Sequence, residues 1–260
     1  MLTAALAKYI KSLQDKKFRQ LEGHFVVEGD KSVGELLRSK LRVSHLLGLK
    51  DWLDAHESEL PQTANVVPMK PRDLERISGL TTPQAIIAIA EIPNYELDSD
   101  TANIEESKLI PIAIGTKNHK LRLYLDGIRD PGNLGTIIRT ADWYGLTQLC
   151  CSPDTVDCYS PKVVQACMGS LFRMQVHYVP FETILSQKPE RIFGAMLDGL
   201  HIGKADLRID SVLVIGNEAS GIRPELLPHI IQPISIPKFG EAESLNAAVA
   251  AGILLDRFLG

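Results

Sequence analysis

Three separated stretches of the chain carry polar residues where a turn leads into a helix or follows a buried strand. Asn133 and Arg139 occupy the first stretch, Glu218 lies in a glycine-rich second one, and Asn246 opens a helix in the third. Loops of this kind can converge on one pocket for a small molecule and place a polar cluster beside it. Taken singly, however, Arg139 is better explained as an ordinary surface ion-pair residue and Glu218 as a solvated loop acid.

The glycine-rich stretch is the part best suited to hold a ligand through its backbone. Residues 216–221 follow an apolar segment, 211–215, that is predicted to be a buried strand, so backbone N–H groups there could face a bound molecule. Neither Gly-x-Gly-x-x-Gly nor a Walker Gly-Lys-Ser/Thr occurs in the chain, which argues against the usual dinucleotide and triphosphate loops.

The cysteines offer no metal-binding pattern. The chain has four, with no Cys-x-x-Cys pair and two of them adjacent: Cys150, Cys151, Cys158 and Cys167. This spacing suits neither a zinc site nor a disulfide framework. We therefore predict no metal site, and we expect the reduced, mostly buried thiols of a cytoplasmic protein.

The three stretches resemble the motifs of the SpoU/TrmH family of RNA 2′-O-ribose methyltransferases, in the SPOUT superfamily. Residues 133–141 match the pattern Asn-x-Gly-x-[Ile/Leu]-x-Arg-[Thr/Asn]-Ala throughout. Residues 216–222 match Gly-Asn-Glu-x-x-Gly-[Leu/Ile], and residues 236–250 match Ile-Pro-x-x-Gly-x-x-x-Ser-Leu-Asn-x-x-x-Ala. One motif alone is weak evidence, but three in the family's order and spacing are hard to obtain by chance.

The resemblance implies a carboxyl-terminal SPOUT domain with a parallel sheet and a deep trefoil knot, made by threading the end of the chain through an earlier loop. Periodicity alone could not predict a knot, because knots are very rare in proteins. The resemblance also implies that S-adenosylmethionine (AdoMet) binds against the loop after strand 191–196, the glycine-rich loop and the segment 236–246. The implied cofactor-binding residues are Leu197, Asp198, Gly199, Ile215, Gly216, Asn217, Gly221, Ile236, Pro237, Ser244 and Leu245.

By the same resemblance, the catalytic residues are Arg139, Asn133, Glu218 and Asn246. A ribose 2′-hydroxyl is a poor nucleophile near neutral pH, so a positioned group is expected to take or polarise its proton. The family assigns that role to the counterpart of Arg139, near an RNA phosphate. Because a guanidinium barely deprotonates, Arg139 could instead bind the phosphate and orient the ribose, with the other three residues as partners.

Two departures from the family pattern bear on the RNA substrate. Ala248 stands where relatives often have serine, and Gln165-Ala166-Cys167 stands where many have Arg-Ala-Ser. One cation that would face the RNA is therefore missing, and the substrate preference can differ. The core motif residues are intact, so activity is expected.

Periodicity divides the chain into two α/β domains joined by a linker. Strand-like runs alternate with helical periods through residues 1–93, which resemble the family's RNA substrate-binding domain. Residues 94–108 are polar and acidic with no apolar period, which predicts a linker. Residues 109–260 are predicted to form the methyltransferase domain, whose closing helix is capped by Ser244 and ends near Phe258.

Charge distribution points to the amino-terminal domain as the RNA-binding one. The whole chain has a net charge of −4, but residues 1–42 hold nine Lys/Arg against five Asp/Glu. Phosphate binding depends on such local patches rather than on the total. We predict that Lys16, Lys17 and Arg19, in a helical segment over residues 3–20, contact RNA; the alternative is a solvated helix face.

The sequence thus predicts an AdoMet-dependent methyltransferase acting on a ribose 2′-hydroxyl of RNA, with ribosomal RNA favoured by the amino-terminal domain. The resemblance also implies a homodimer that pairs through the closing helix 247–259 and the first-motif region and shares its active site. The alternative is that both apolar sides of this helix pack inside one subunit. The protein is expected to be cytoplasmic. The alternatives are a transfer-RNA 2′-O-methyltransferase, a thiopeptide-resistance type of ribosomal RNA methylase, and a catalytically idle RNA-binding or ribosome-assembly factor. Intact motif residues argue against the last of these. No apolar run reaches the length of a membrane span.

Overall fold

The computed structural model describes residues 2–94, 121–207 and 210–260 and divides them into two compact units. Unit 1 comprises residues 2–94 together with Asp157–Arg173, and unit 2 comprises the other described residues. Nearly all of the predicted linker, 94–108, and the first residues of the predicted second domain lie outside the described residues. The domain boundaries therefore stay a prediction.

Unit 1 is built on a four-stranded sheet of order β1-β4-β2-β3. The pairings of β4 with β1 and with β2 are antiparallel, and β2 pairs with β3 in parallel. The strands are β1 His24–Glu28, β2 Val43–Leu49, β3 Asn65–Met69 and β4 Ile86–Glu91. The helices are α1 Ala4–Ser12, α2 Lys16–Glu22, α3 Asp30–Leu37, α4 Lys50–Ala55, α5 Pro71–Ile77 and α7 Pro161–Ala166, with 3-10 turns at Glu57–Glu59 and Ser170–Phe172.

The predicted helix over residues 3–20 is in fact two helices. The Thr3 hydroxyl caps α1 and the Asp15 carboxylate caps α2 by accepting the Lys17 N–H, so the chain turns between them. Ser, Thr and Asp at such positions satisfy the free N–H groups of a first helical turn. Gly23 then ends α2 in the left-handed conformation at φ 66°, which glycine adopts at no steric cost.

Arg19 is a structural residue, which corrects its prediction as an RNA contact. Its side chain is only 3% exposed, and its Nε and Nη2 donate to the Asp157 carboxylate at 2.9 and 2.6 Å. Its Nη1 donates to the backbone carbonyls of Leu13 and Gln14, at 2.8 Å each. A guanidinium with these four bonds is committed to holding unit 1 together. Only Lys16 and Lys17 of the predicted trio are exposed.

Unit 2 contains a six-stranded, all-parallel sheet of order β10-β8-β9-β5-β6-β7, which confirms the predicted α/β fold with a parallel sheet. The central strands β9 and β5 are buried along their whole length, as expected for a sheet covered on both faces. The strands are β5 Leu121–Leu125, β6 Gln148–Cys151, β7 Gln175–Tyr178, β8 Arg191–His201, β9 Ser211–Ile215 and β10 Gln232–Ser235. The helices are α6 Pro131–Trp143, α8 Phe181–Ser186 and α9 Ala247–Leu259, with 3-10 turns at Ile202–Lys204 and Leu227–His229.

Strand β8 is longer than predicted and carries an irregularity that shapes the site. Gly194 pairs with Pro233 of β10, whereas the next β10 residue, Ile234, pairs with Leu200. Residues 195–199 therefore leave the ladder before the strand resumes. A Cβ on Gly199 would lie 2.5 Å from the Ile234 backbone nitrogen, so glycine is needed where the two strands come together again.

The closing helix begins at a different residue from the one predicted. Asn246, rather than Ser244, caps α9: its Oδ1 accepts the N–H groups of Ala248 at 2.9 Å and Val249 at 3.3 Å. The Asn246 cap leaves Ser244 in the loop before the helix. Both residue types suit a cap, so the sequence could not choose between them.

Candidate active site

A cavity of about 620 Å³ lies at the carboxyl-terminal ends of β8, β9 and β10. Three loops and the start of α9 line it, which is where ligands bind in parallel α/β sheets. The lining residues are Ala195, Met196, Leu197, Ile215, Gly216, Asn217, Glu218, Ala219, Ser220, Gly221, Ile234, Ile236, Pro237, Lys238, Phe239, Gly240, Ala242, Glu243, Ser244, Leu245, Ala247, Ala250 and Leu254.

The glycine-rich loop 216–221, here called the cofactor loop, is a tight turn at the end of β9. Asn217 and Gly221 close it through two backbone hydrogen bonds of 2.9 Å each, and Gly221 has a φ of 69°. A Cβ on Gly216 would lie 2.2 Å from the Gly221 carbonyl carbon, so no larger residue fits there. The Asn217 Oδ1 accepts the N–H groups of Ala219 and Ser220 at 2.9 and 3.2 Å and so fixes the turn from within.

A chain of side-chain hydrogen bonds joins the three sequence motifs. The Asn246 Nδ2 donates to the Asn133 Oδ1 at 2.8 Å, and the Asn133 Nδ2 donates to the Glu218 Oε1 at 2.8 Å. The Asp130 carboxylate caps α6 by accepting the Asn133 N–H at 2.8 Å, which holds Asn133 at the start of that helix. Three predicted catalytic residues, 85 and 113 residues apart along the chain, thus form one polar cluster.

Arg139 lies on a different side of α6 and is exposed. Asn133, six residues earlier, is buried against Glu218 and Asn246, and six residues turn a helix by about 240° from its starting direction. The structure therefore brings together Asn133, Glu218 and Asn246 but leaves Arg139 outside that hydrogen-bonded chain.

Most of the predicted cofactor-binding residues line the cavity, and two do not. Leu197, Ile215, Gly216, Asn217, Gly221, Ile236, Pro237, Ser244 and Leu245 are in the lining. Asp198 is exposed outside it, and Gly199 is held against the β10 backbone where β8 rejoins the ladder. The lining also contains Met196 and Phe239, which were not predicted although they directly adjoin the predicted residue Leu197 and the motif residue Gly240.

The four cysteines are buried, as the sequence predicts. All four are free and buried, and burial raises the pKa of the Cys150 thiol to about 12. A thiol that stays protonated is a poor nucleophile and a poor metal ligand. Within residues 2–94, 121–207 and 210–260, no cluster of His, Cys, Asp and Glu is arranged to bind a metal ion.

None of the helices in the described part of the chain has both the length and the apolar character needed to cross a bilayer.

Comparisons with known proteins agree with this geometry. A model of the SpoU rRNA Methylase family matches residues 120–256, and a model of the MRM3-like substrate binding domain matches residues 5–88. The 23S rRNA (guanosine(2553)-2′-O)-methyltransferase RlmP of Bacillus subtilis is 30% identical over 258 residues, covering 96% of this chain and 94% of that protein.

Two solved structures are similar over almost the whole chain. A TrmH-family protein from Porphyromonas gingivalis is 38% identical with a TM-score of 0.83, covering 99% of this chain and 98% of that one. An AdoMet-bound rRNA methyltransferase from Sinorhizobium meliloti is 28% identical with a TM-score of 0.83, covering 99% and 95%.

These similarities confirm three sequence predictions: the family, the methyltransferase activity and AdoMet as the cofactor. Most residues that match the second and third motifs line the cavity, and Asn133, Glu218 and Asn246 form the polar cluster beside it. The chain therefore belongs to the SpoU rRNA methylase family.

Proposed function

We propose that this protein transfers a methyl group from AdoMet to a ribose 2′-hydroxyl of ribosomal RNA in the cytoplasm. The observation that carries the proposal is the cavity built by the three motif segments, with the chain Asn246–Asn133–Glu218 beside it. The RlmP relative, named for 2′-O-methylation of 23S rRNA, supports ribosomal RNA as the substrate class.

The cavity fits AdoMet in size and in chemistry. Its volume of about 620 Å³ lies in the range of small-molecule sites, and its walls are mostly apolar with a few polar groups. The cofactor loop would hold the adenosine part through its backbone, because Gly216 lets the loop close tightly on itself at the edge of the cavity. Ile236 and Leu245 would supply apolar contacts. AdoMet supplies a methyl group on a positively charged sulfur.

The protein's own groups must orient the ribose and handle its proton. We assign Arg139 to binding the RNA phosphate next to the reactive ribose, because a guanidinium stays protonated in proteins. Glu218 and the Asn133 amide would hold the cofactor loop and the start of α6 in place, and the 2′-oxygen would approach between them. The 2′-hydroxyl would pass its proton to solvent water as its oxygen forms the new C–O bond, and the sulfur would keep the electron pair of the broken C–S bond.

Two features of the fold belong to the same proposal. The first is a deep trefoil knot in unit 2, supported by the way the segment 236–246 lines one cavity with the loops after β8 and β9. The second is an RNA-binding role for the amino-terminal domain, predicted over residues 1–93, which is supported by the substrate-binding model over residues 5–88.

The protein should bind AdoMet with a micromolar dissociation constant in the presence of a metal chelator. The reason is that the lining offers backbone and apolar contacts and needs no metal. Calorimetry on the full chain measures this dissociation constant, and folded protein that binds no AdoMet would overturn the proposed enzyme.

Mapping of 2′-O-methyl positions on total RNA from cells with and without the protein identifies the substrate. Methylation of transfer RNA alone would replace ribosomal RNA as the substrate.

Charge reversal of the two exposed lysines of α2, Lys16→Glu with Lys17→Glu, should weaken RNA binding and flatten its salt dependence. Each phosphate contact that is lost lowers the slope of log affinity against log salt by about one unit. The matched control is Lys70→Glu with Arg72→Glu, which makes the same change in charge at exposed positions around the start of α5. An unchanged slope, or an equal loss in the control, would mean that Lys16 and Lys17 form only a solvated face.

We also propose a homodimer that pairs through α6 and α9. The two helices pack side by side, with the Tyr144 hydroxyl donating to the Asp256 carboxylate at 3.1 Å. They leave apolar side chains exposed, with Trp143 85% and Val249 51% accessible and Ile253 in the next turn of α9. A self-complementary two-fold contact would cover these side chains, and Arg139 lies on the exposed side of α6, where it could serve the partner's cavity.

Light scattering should give twice the single-chain mass of 28.7 kDa at micromolar concentration. The variant Val249→Glu with Ile253→Glu should give the single-chain mass, because two buried charges without partners would outweigh the contact. Ile231→Glu serves as the control, since Ile231 is also an exposed apolar residue of unit 2 but lies outside both helices. A wild-type protein with the single-chain mass would refute the dimer.

A further inference from the structure

A buried carboxylate, outside the three family motifs, lies where the cofactor loop leaves the end of β9. Asp126 follows the last residue of β5 and is fully buried. Its backbone N–H donates to the carbonyl of Ile215, the last residue of β9, at 2.8 Å. The side chain therefore sits beside the point at which the cofactor loop leaves the sheet.

Both oxygens of this carboxylate hold Arg223, which lies two residues beyond the end of the cofactor loop. The Asp126 Oδ2 accepts the Arg223 backbone N–H at 2.8 Å, and its Oδ1 accepts the Arg223 Nε at 2.7 Å and lies 2.5 Å from Nη2. This hydrogen bond raises the pKa of Arg223. A buried charge is tolerated only when it is paired and hydrogen-bonded in this way, so Asp126 depends on Arg223.

The neighbouring residue, Gly127, holds the other end of the loop. Its carbonyl accepts the Asn217 Nδ2 at 2.6 Å, and its N–H donates to the Ser152 hydroxyl at 2.8 Å. The turn after β5 thus binds both ends of the cofactor loop. Gly127 contacts Asn217 at the start of the loop, and Asp126 contacts Arg223 just after its end. Gly127 itself has a φ of 69°, a conformation that glycine adopts without strain.

The residues that follow this turn contact the polar cluster of Asn133, Glu218 and Asn246. Residues 129 and 130 direct their backbone N–H groups at the Glu218 carboxylate, at 3.4 Å each, and Asn133 follows at the start of α6. We propose that Asp126 and Arg223 are positioning residues: their ion pair holds the cofactor loop in its ligand-binding shape and in register with Asn133. This inference deepens the proposed function, because the ligand concerned is AdoMet.

The substitution Asp126→Asn tests the proposal with almost no change in volume. Asp126 accepts hydrogen bonds at both oxygens, whereas an asparagine must turn its NH2 group toward one of the two donors of Arg223. One of the hydrogen bonds between residue 126 and Arg223 is then lost. If the ordered loop falls to about a tenth of the population, the apparent dissociation constant for AdoMet rises about tenfold.

A matched control lies at the other end of the same strand. Arg122 of β5 is buried and forms an ion pair with Asp210, far along the strand from the cofactor loop. Asp210→Asn and Asp126→Asn should both lower the melting temperature of the protein, but Asp210→Asn should leave the AdoMet dissociation constant unchanged. A second variant, Arg223→Lys, keeps the charge and the backbone N–H but loses the Nε donor, so its effect should be smaller than that of Asp126→Asn.

Calorimetry with AdoMet, at a temperature where all variants are folded, measures the first effect. Kinetics on the RNA substrate then separate the KM for AdoMet, expected to rise about tenfold, from kcat at saturating AdoMet, expected to change far less because bound ligand restores the loop. Equal dissociation constants for Asp126→Asn and wild type would overturn the proposal, as would an equal rise in Asp210→Asn. Failure of the wild type to bind AdoMet would instead overturn the proposed function.

Discussion

Arg139→Ala should abolish methyl transfer while AdoMet binding stays at the wild-type level. Arg139 is exposed on α6 and is absent from the residues that line the cavity, so its removal leaves the cofactor site intact. Loss of one group that positions a substrate or stabilises developing charge costs about 10²-fold or more in rate. The comparison of turnover with AdoMet affinity therefore separates a role in catalysis from a role in cofactor binding.

The control for this variant is Arg257→Ala. Arg257 is also an exposed helical arginine of unit 2, in the last turn of α9, and we assign it no part in the reaction. Its loss removes the same charge from the protein, so a general electrostatic effect on RNA capture would appear in both variants. Turnover by Arg139→Ala within a few-fold of wild type would make Arg139 an ordinary surface residue.

The dependence of the rate on RNA concentration in the Arg139 variants separates phosphate binding from proton acceptance by Arg139. A phosphate-binding role is partly retained by Arg139→Lys, because an ammonium group still carries the charge although it lacks the planar fork. If Arg139 held the RNA phosphate, raising the RNA concentration would recover part of the rate of Arg139→Ala through the KM for RNA. A proton-accepting role would leave kcat depressed at every RNA concentration.

The parts of the fold that the sequence predicts best are the fully buried strands. Residues 211–215 are predicted as a strand with nearly continuous apolar character, and they are β9 in the centre of the sheet. A strand that is buried on both faces is mostly apolar, and a nearly continuous apolar run such as 211–215 is therefore recognised in the sequence. The motif segments were likewise predictable, because their chemistry depends on local turns and helix starts.

The features that the sequence did not predict depend on partners far along the chain. Arg19 looked like an exposed cation of a basic helix, yet its partner Asp157 lies 138 residues away. The segment Asp157–Arg173 clusters with unit 1, although it lies inside the stretch predicted as the second domain. Burial of a charge is decided by tertiary contacts, which no local pattern reports. Asp126 went unnoticed for the same reason, since its partner Arg223 is 97 residues away.

Asn133→Asp should cost about 10²-fold or more in activity at pH 8, although it changes one NH2 group to an oxygen. The Asn133 Nδ2 donates to the Glu218 Oε1 at 2.8 Å, and the side chain is almost completely buried. An aspartate would place a second carboxylate oxygen where that donor stood. Two like charges at this separation cannot both stay ionised, so either the pair shares a proton or the cofactor loop moves away.

The pH dependence of this variant gives the sharper test. A shared proton raises the pKa of the carboxyl pair in the folded protein above its unfolded value, so the folded state binds more protons than the unfolded one. Stability of the variant relative to wild type is then lost as pH rises through that raised pKa and is recovered as pH falls. Melting temperatures at pH 5 and pH 8 should therefore differ more for Asn133→Asp than for wild type. Gln62→Glu, at an exposed loop position of unit 1, adds the same charge outside the active site and should show no such difference. A variant as active and as stable as wild type at pH 8 would show that the chain Asn246–Asn133–Glu218 does not hold the active site together.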